Sequence, residues 1–177
     1  MSIKSISNDP IIVDFIEESK NIIIDLNEAL NHAEGGIRLS SHLETYGQMV
    51  DRILGGAKTL AMNVDGGHPI IEKIGDYAAI CKAVGYKASQ IKDNEQFYSV
   101  CVALLMDATE VLVEMLDALE NGQAIDTKDM ISQTLIERLR WASSKFSAEY
   151  RESVAVKKVP KMNQDEINIL LAKLGIS

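Results

Sequence analysis

The stretch that decides the fold runs from residue 37 to residue 62 and reads IRLSSHLETYGQMVDRILGGAKTLAM. Its apolar residues recur at intervals of three and four, which is the spacing of an amphipathic α-helix. On a wheel at about 100° per residue they form one stripe, and its members are Leu43, Tyr46, Val50, Ile53, Leu54, Ala57, Leu60 and Ala61. Asp65-Gly66-Gly67 ends the pattern. The stretch therefore predicts a long helix with one buried face.

The same period continues on both sides of this stretch and predicts four further helices. The first opens at the cap and proline Asn8-Asp9-Pro10, and the fourth along the chain is capped by Asp93-Asn94. The predicted segments are residues 8–36, 69–91, 93–122 and about 126–150. About five helices joined by short polar or glycine-containing turns indicate an all-α fold, an up-and-down bundle.

Composition narrows the class of protein. The 177 residues include 18 basic and 26 acidic side chains, so the net charge is −8 and no basic stripe is available for nucleic acid. No apolar run approaches the roughly 18 residues of a transmembrane helix, and Met1–Ser7 lacks the apolar core of a signal peptide. We therefore expect a cytoplasmic protein with no membrane partner. Cys81 and Cys101 lie in apolar-periodic stretches and are expected to be reduced core residues.

The composition changes near the C-terminus. After a bundle of residues 1–151, the charged and β-branched residues 152–161 predict a flexible linker. Residues 162–177 then hold a short amphipathic helix whose apolar face carries Ile167, Leu170, Leu171 and Leu174. A helix this short is marginal alone in water, so its apolar face needs a surface. Two alternatives are open: it folds back onto the bundle, or it docks in a groove of a partner protein.

The polar face of the 37–62 helix carries the candidate functional residues. Glu44, Gln48, Asp51 and Gly55 lie away from the apolar stripe, and Arg52 lies just beyond them. Glu44 and Gln48 are neighbours at i, i+4. Because solvated Glu/Gln pairs are common on helices, this pair alone is a weak functional signal.

Three glycines, Gly47, Gly55 and Gly56, interrupt the same helix. Each costs about 1 kcal/mol of helix stability relative to alanine, so a compensating close approach is expected. The approaching group is either a neighbouring helix of the bundle or a partner protein that docks on the bare surface.

The segment Glu44-Thr45-Tyr46-Gly47-Gln48-Met49-Val50-Asp51-Arg52 resembles the active-site helix of the chemotaxis phosphatase CheZ. That family's pattern is an acid, two residues, glycine, glutamine, an apolar pair and a basic residue. The resemblance implies an aspartyl-phosphate phosphatase that acts on the response regulator CheY. It implies catalytic roles for Gln48, which would position the attacking water, and for Glu44, which would orient a lysine of the regulator. Asp51, Arg52 and Gly55 would then contact the partner.

Residues 162–175 supply a second resemblance, independent of the first. They are similar to the CheY-binding segment of the flagellar switch protein FliM and to the C-terminal CheY-binding helix of CheZ, which also ends in Leu-Leu-x-x-Leu-Gly. The resemblance favours docking on a CheY-type regulator, with the apolar residues Ile167, Leu170, Leu171 and Leu174 as contacts. It implies no cofactor on this chain, since Mg²⁺ belongs to the regulator.

A third resemblance covers residues 8–150, whose helix order is similar to the phosphotransfer (HPt) domain of the chemotaxis kinase CheA. Arg52-Ile53-Leu54-Gly55-Gly56-Ala57 is similar to the signature His-x-Leu-Lys-Gly-Ser/Ala, with Arg52 in place of the phosphorylated histidine. A guanidinium cannot act as that nucleophile, so a phosphorelay role is not expected. His32, His42 and His68 lack metal-ligand spacing, and no metal site is expected.

The alternative function is a non-catalytic pseudo-HPt module that binds or sequesters a response regulator or docks on a chemotaxis kinase. Gln48 separates the two hypotheses, because an adaptor needs no amide there. The sequence leaves self-association open.

Overall fold

The computed structural model describes residues 2–63, 68–146 and 166–176. The described residues form helices and connecting turns without a β-strand, so the prediction of an all-α bundle is confirmed. The helices are α1 (Ile3–Ile6), α2 (Pro10–Ala33), α3 (Ser41–Asn63), α4 (Pro69–Ser89), α5 (Glu95–Glu120), α6 (Thr127–Met130), α7 (Gln133–Lys145) and α8 (Glu166–Lys173).

The predicted caps start the helices that build the bundle. The Asp9 carboxylate accepts a hydrogen bond from the Ile11 amide at 2.9 Å, and Pro10 occupies the first position of α2. The Asn94 side chain accepts from the Phe97 amide at 2.9 Å and starts α5 in the same way. These contacts satisfy amide groups that have no partner inside the helix.

Helices α2, α3, α4 and α5 pack in a ring, each against the next and α5 against α2. Neighbours run antiparallel. From Phe15 to Glu18 along α2, the facing residue of α3 moves back from Gly56 to Arg52. From Gly47 to Asp51 along α3, the facing residue of α4 moves back from Tyr86 to Lys82. Helix α7 packs outside this ring against α5, and α8 packs against α4 and α7. The arrangement is an up-and-down four-helix bundle with two helices added on one side.

Three tyrosines, fully buried in the core, connect the helices of the ring. The hydroxyl groups of Tyr77 and Tyr98 donate to the carbonyl oxygens of Ala108 and Ala33, at 2.9 and 3.1 Å. The Tyr46 hydroxyl lies 2.9 Å from Oγ1 of Thr109. Each buried hydroxyl therefore has the partner that its burial requires.

The predicted fifth helix, residues 126–150, is wrong as a single element. The structure divides it into α6 and α7, because Ile131 adopts an extended backbone and the Ser132 side chain caps α7 by accepting from the Leu135 amide. Residues 147–150 lie outside the described residues. Residues 37–39 form a separate 3₁₀ turn ahead of α3, and α1 was not predicted.

The sequence left open whether the C-terminal helix folds back onto the bundle or docks on a partner, and in the structure it folds back onto the bundle. Helix α8 rests on the bundle, with its apolar face toward α4 and α7. The predicted linker, residues 152–161, lies outside the described residues. Within the three described ranges, no helix combines the length and the hydropathy needed to cross a membrane.

Candidate functional site

The structure brings Glu44, Gln48 and Asp51 together on one face of α3, at positions i, i+4 and i+7 of the helix. Gln48 and Asp51 are exposed and Glu44, in the first turn of α3, is half-buried. Within the described part of the chain, the Gln48 side chain forms no hydrogen bond. Its amide is therefore free to bind a ligand with both its carbonyl oxygen and its amino group.

Gly47 fixes the distance between this face and α4. A Cβ at Gly47 would lie only 2.9 Å from Cε2 of Tyr86, so the aromatic ring of α4 fills the space that a side chain would need. The contact is reciprocated, because a Cβ at Gly85 of α4 would lie 2.8 Å from Cδ1 of Tyr46 on α3. Each helix thus receives a tyrosine ring from the other at a glycine.

Of the other two glycines of α3, Gly56 faces a neighbouring helix and Gly55 faces solvent. A Cβ at Gly56 would lie 3.0 Å from two ring atoms of Phe15, so Gly56 serves packing within the bundle, as Gly47 does. Gly55 is exposed, and a Cβ there would meet nothing within 4 Å. Only Gly55 leaves the helix backbone bare toward solvent.

Lys82 and Tyr86 of α4 complete the face, and neither was among the residues predicted from the sequence. The Lys82 ammonium lies 2.6 Å from Oδ1 of Asp51, and its side chain is only 19 % exposed. Burial, followed by the charges of Asp51 and Glu44, raises the pKa of the Tyr86 hydroxyl. The sequence places Lys82 and Tyr86 at i, i+4 beside Gly85, and so on one face of α4, but this spacing does not say which helix that face meets.

Arg52 points toward α2 and forms an ion pair with Glu18 at 2.8 Å. Both side chains are more than half exposed, so the pair contributes little stability. Asp51 and Arg52 are thus both ion-paired within the protein, whereas Glu44 forms no ion pair with the described residues. Glu44 is the charged group of this face that remains available to a cation.

The apolar face of α8 packs against α4 and α7 and does not form part of the α3 face. Its four predicted contact residues are each at most 7 % exposed: Ile167, Leu170, Leu171 and Leu174. The Thr127 hydroxyl of α6 donates a 2.7 Å hydrogen bond to the Leu174 carbonyl oxygen. Gly175, at φ +78°, ends the helix with Ile176 folded back: the Ile176 amide donates to the Leu171 carbonyl oxygen at 3.0 Å.

Charged residues surround the end of α8. Lys173 lines a groove with Lys58 of α3 and with Glu72 and Asp76 of α4. Burial raises the pKa of the Asp76 carboxyl above its usual value; Lys173 and Lys58 oppose the shift, and Glu72 adds to it. Asp76 lies six residues before Lys82, about 9 Å along the axis of α4, so α8 lies near the α3–α4 face without forming part of it.

The remaining titratable groups singled out in the sequence lie elsewhere. His32 and His42 stack with ring centroids 4.9 Å apart at the α2–α3 connection. Among the described residues, no group of three or more histidine, cysteine or acidic side chains is arranged to hold a metal ion. Cys81 and Cys101 are free and buried, as expected, and burial raises the pKa of each thiol to about 12.

No protein-family model, no curated protein sequence and no solved structure matches the chain.

Proposed function

We propose that this protein is a phosphatase of a CheY-type response regulator and removes the phosphoryl group from the regulator's aspartate. The observation that carries the proposal is the Gln48 amide: it is exposed and unbonded within the described residues, one turn from the half-buried Glu44. The site would act in the cytoplasm, where response regulators work.

Most of the groups that this reaction needs would belong to the regulator and not to the phosphatase. The regulator holds the Mg²⁺ and the lysine that stabilise charge on the transferring phosphoryl group, so this chain needs no cofactor. The phosphatase has to hold one water molecule in line with the phosphorus atom. The Gln48 carbonyl oxygen would accept a hydrogen bond from this water, and its amino group would donate to a phosphoryl oxygen.

The charges of the face support a positioning role for Glu44. The regulator's pocket is acidic and contains one lysine, so an approaching surface needs a carboxylate for the lysine and little other free negative charge. Lys82 compensates Asp51, and Arg52 is occupied by Glu18, which leaves Glu44 as the carboxylate of this face that has no ion pair among the described residues. Glu44 would pair with the regulator's lysine and orient it, and Asp51, Arg52 and Gly55 would form the rim of the contact.

The helix α8 would recruit the regulator. Its apolar residues lie in the pattern that predicted docking on a regulator, and a tether raises the local concentration of regulator near α3 into the millimolar range. Because these residues are buried on α4 and α7, α8 has to leave the bundle before it can bind a partner through them.

The test measures decay of the phosphorylated cognate regulator in the presence of Mg²⁺. We expect wild-type protein to accelerate decay and Gln48→Ala to reduce the maximal rate by about 100-fold or more, the usual effect of removing a positioned hydrogen-bonding group. Gln96→Ala is the matched control, because Gln96 is also an exposed helical glutamine, on α5.

Each outcome separates the hypotheses. Unchanged decay with excess wild-type protein, together with measurable binding of the regulator, would favour the non-catalytic pseudo-HPt module. If Gln48→Ala kept full activity, the active-site assignment would be wrong. Equal losses in Gln48→Ala and Gln96→Ala would point to a general defect of the fold.

A further inference from the structure

Helix α8 is packed in a way that makes its apolar face unavailable to a second protein. Ile167 and Leu171 are fully buried, Leu174 is 2 % exposed, and Leu170 and the adjoining Ile176 are 7 % exposed. Its opposite face is open to solvent, with Ile169 54 % exposed. A partner that recognises the apolar face therefore competes with α4 and α7 for the same side chains.

Besides the packing of its apolar residues, α8 is held by a hydrogen bond from a side chain of the bundle. Thr127 is 4 % exposed, and its hydroxyl donates to the carbonyl oxygen of Leu174, the residue that follows α8. This hydrogen bond satisfies a carbonyl group that has no partner further along the helix. Thr127 belongs to α6 and can be changed without altering any residue that a partner would touch on α8.

We infer that the apolar face of α8 is a single interaction surface that the bundle and the response regulator occupy in turn. The closed bundle then acts as an internal competitor of the regulator. This inference rests on the proposed function for the identity of the partner. Eight helical residues do not form a stable helix alone, so molecules with α8 released into water are a minor fraction, and α8 is stable on one protein surface or the other.

This exchange determines the apparent affinity of the protein for the response regulator. A protein that binds only when open has its affinity reduced by the fraction of molecules that are open. Removing one buried hydrogen bond from the closed state changes the ratio of closed to open molecules by about tenfold. A variant that lacks the Thr127 hydroxyl is therefore expected to bind the regulator up to about tenfold more tightly than wild type.

The experiment uses the full chain and two measurements. Hydrogen exchange reports protection of residues 167–176 in the free protein, and titration calorimetry reports the Kd for the cognate regulator. Thr127→Val removes the hydroxyl and keeps the shape, Thr127→Ser keeps the hydroxyl, and Thr134→Val is the control at an exposed threonine of α7. We expect wild type to protect α8, and only Thr127→Val to lower both the protection and the Kd.

The possible failures are distinguishable. Absence of protection of α8 in the free wild-type protein would overturn the closed state whatever the partner is. A Kd unchanged in Thr127→Val, with the regulator bound and α8 less protected, would overturn the competition and leave the proposed function standing. If no variant binds the regulator while α8 is protected, recruitment by α8 fails, and the proposed partner and the inference fall together.

Discussion

Replacing Gly47 with alanine tests the close approach of α3 and α4 on which the candidate site depends. A Cβ at this position would lie 2.9 to 3.1 Å from three ring atoms of Tyr86. The Tyr86 side chain is held between the helices at 5 % exposure, so its ring has little room to retreat. The same substitution at Gly55, eight residues later on the same helix, would meet nothing within 4 Å.

Both variants gain helix stability when alanine replaces glycine, but only Gly47→Ala also overpacks the contact with Tyr86. Glycine to alanine within a helix stabilises the fold by about 1 kcal/mol. At Gly47 this gain is opposed by overpacking, which costs about 1–3 kcal/mol. For a chain of 177 residues, 1 kcal/mol shifts Tm by about 2–4 °C. We therefore expect Gly55→Ala to raise Tm by about 2–4 °C, and Gly47→Ala to melt about 2–12 °C below Gly55→Ala.

The assay is thermal unfolding followed by circular dichroism, with urea unfolding as a second measure of the free energy. The proposed phosphatase activity is tested on the same samples, since displacement of the Tyr86 ring would move the α4 side of the face that carries Gln48. If Gly47→Ala were as stable as Gly55→Ala, the ring of Tyr86 would not occupy the space above Gly47, and the described geometry of the α3–α4 contact would be refuted.

Two further predictions concern the half-buried carboxyl of Asp76 and the buried thiols of Cys81 and Cys101. Burial raises the pKa of Asp76, so the folded protein binds the carboxyl proton more tightly than the unfolded chain does. The stability that comes from the protonated carboxyl is therefore present below pH 3.8 and is lost as pH rises through the raised pKa. Asp76→Asn is accordingly expected to raise Tm at pH 7 and to have little effect near pH 3, and a larger gain at the lower pH would contradict this sign. Burial also raises the pKa of the Cys81 and Cys101 thiols to about 12, so Ellman's reagent should modify neither in the native protein and both in denaturant; rapid native reaction would place a thiol at the surface.

The helices and the local part of the site were predictable because both depend on short-range geometry. Caps such as Asp9 and Asn94 act within three residues, and Glu44, Gln48 and Asp51 share a face by the helical period alone. The division of the predicted fifth helix at Ser132 was missed, although serine is a strong cap, because the apolar period runs through it. Periodicity marks which residues are buried, but it does not mark where the backbone turns.

Lys82 could not be assigned to the site from the sequence, because its position depends on the register between two helices. That register is set by the exchange of tyrosine rings at Gly47 and Gly85, which places Lys82 opposite Asp51. The two glycines are visible in the sequence, but nothing in their own segments states which aromatic residue each receives. Contacts of this kind become determinable only when both helices are placed together.

The apolar repeat of α8 likewise does not identify the surface against which the helix packs. The repeat of apolar residues at i, i+3, i+4 and i+7 requires that the face be covered, but a groove between α4 and α7 and a groove on another protein satisfy it equally. The contact that distinguishes the two lies outside the repeat: the Thr127 hydroxyl donates to the Leu174 carbonyl oxygen, from a residue 47 positions earlier in the chain. A stripe designed only for a partner would not need this bond, whereas a stripe that closes on its own bundle gains from it. The Thr127 hydroxyl is therefore a group through which the packing of α8 on the bundle can be weakened without changing any residue of the apolar face of α8.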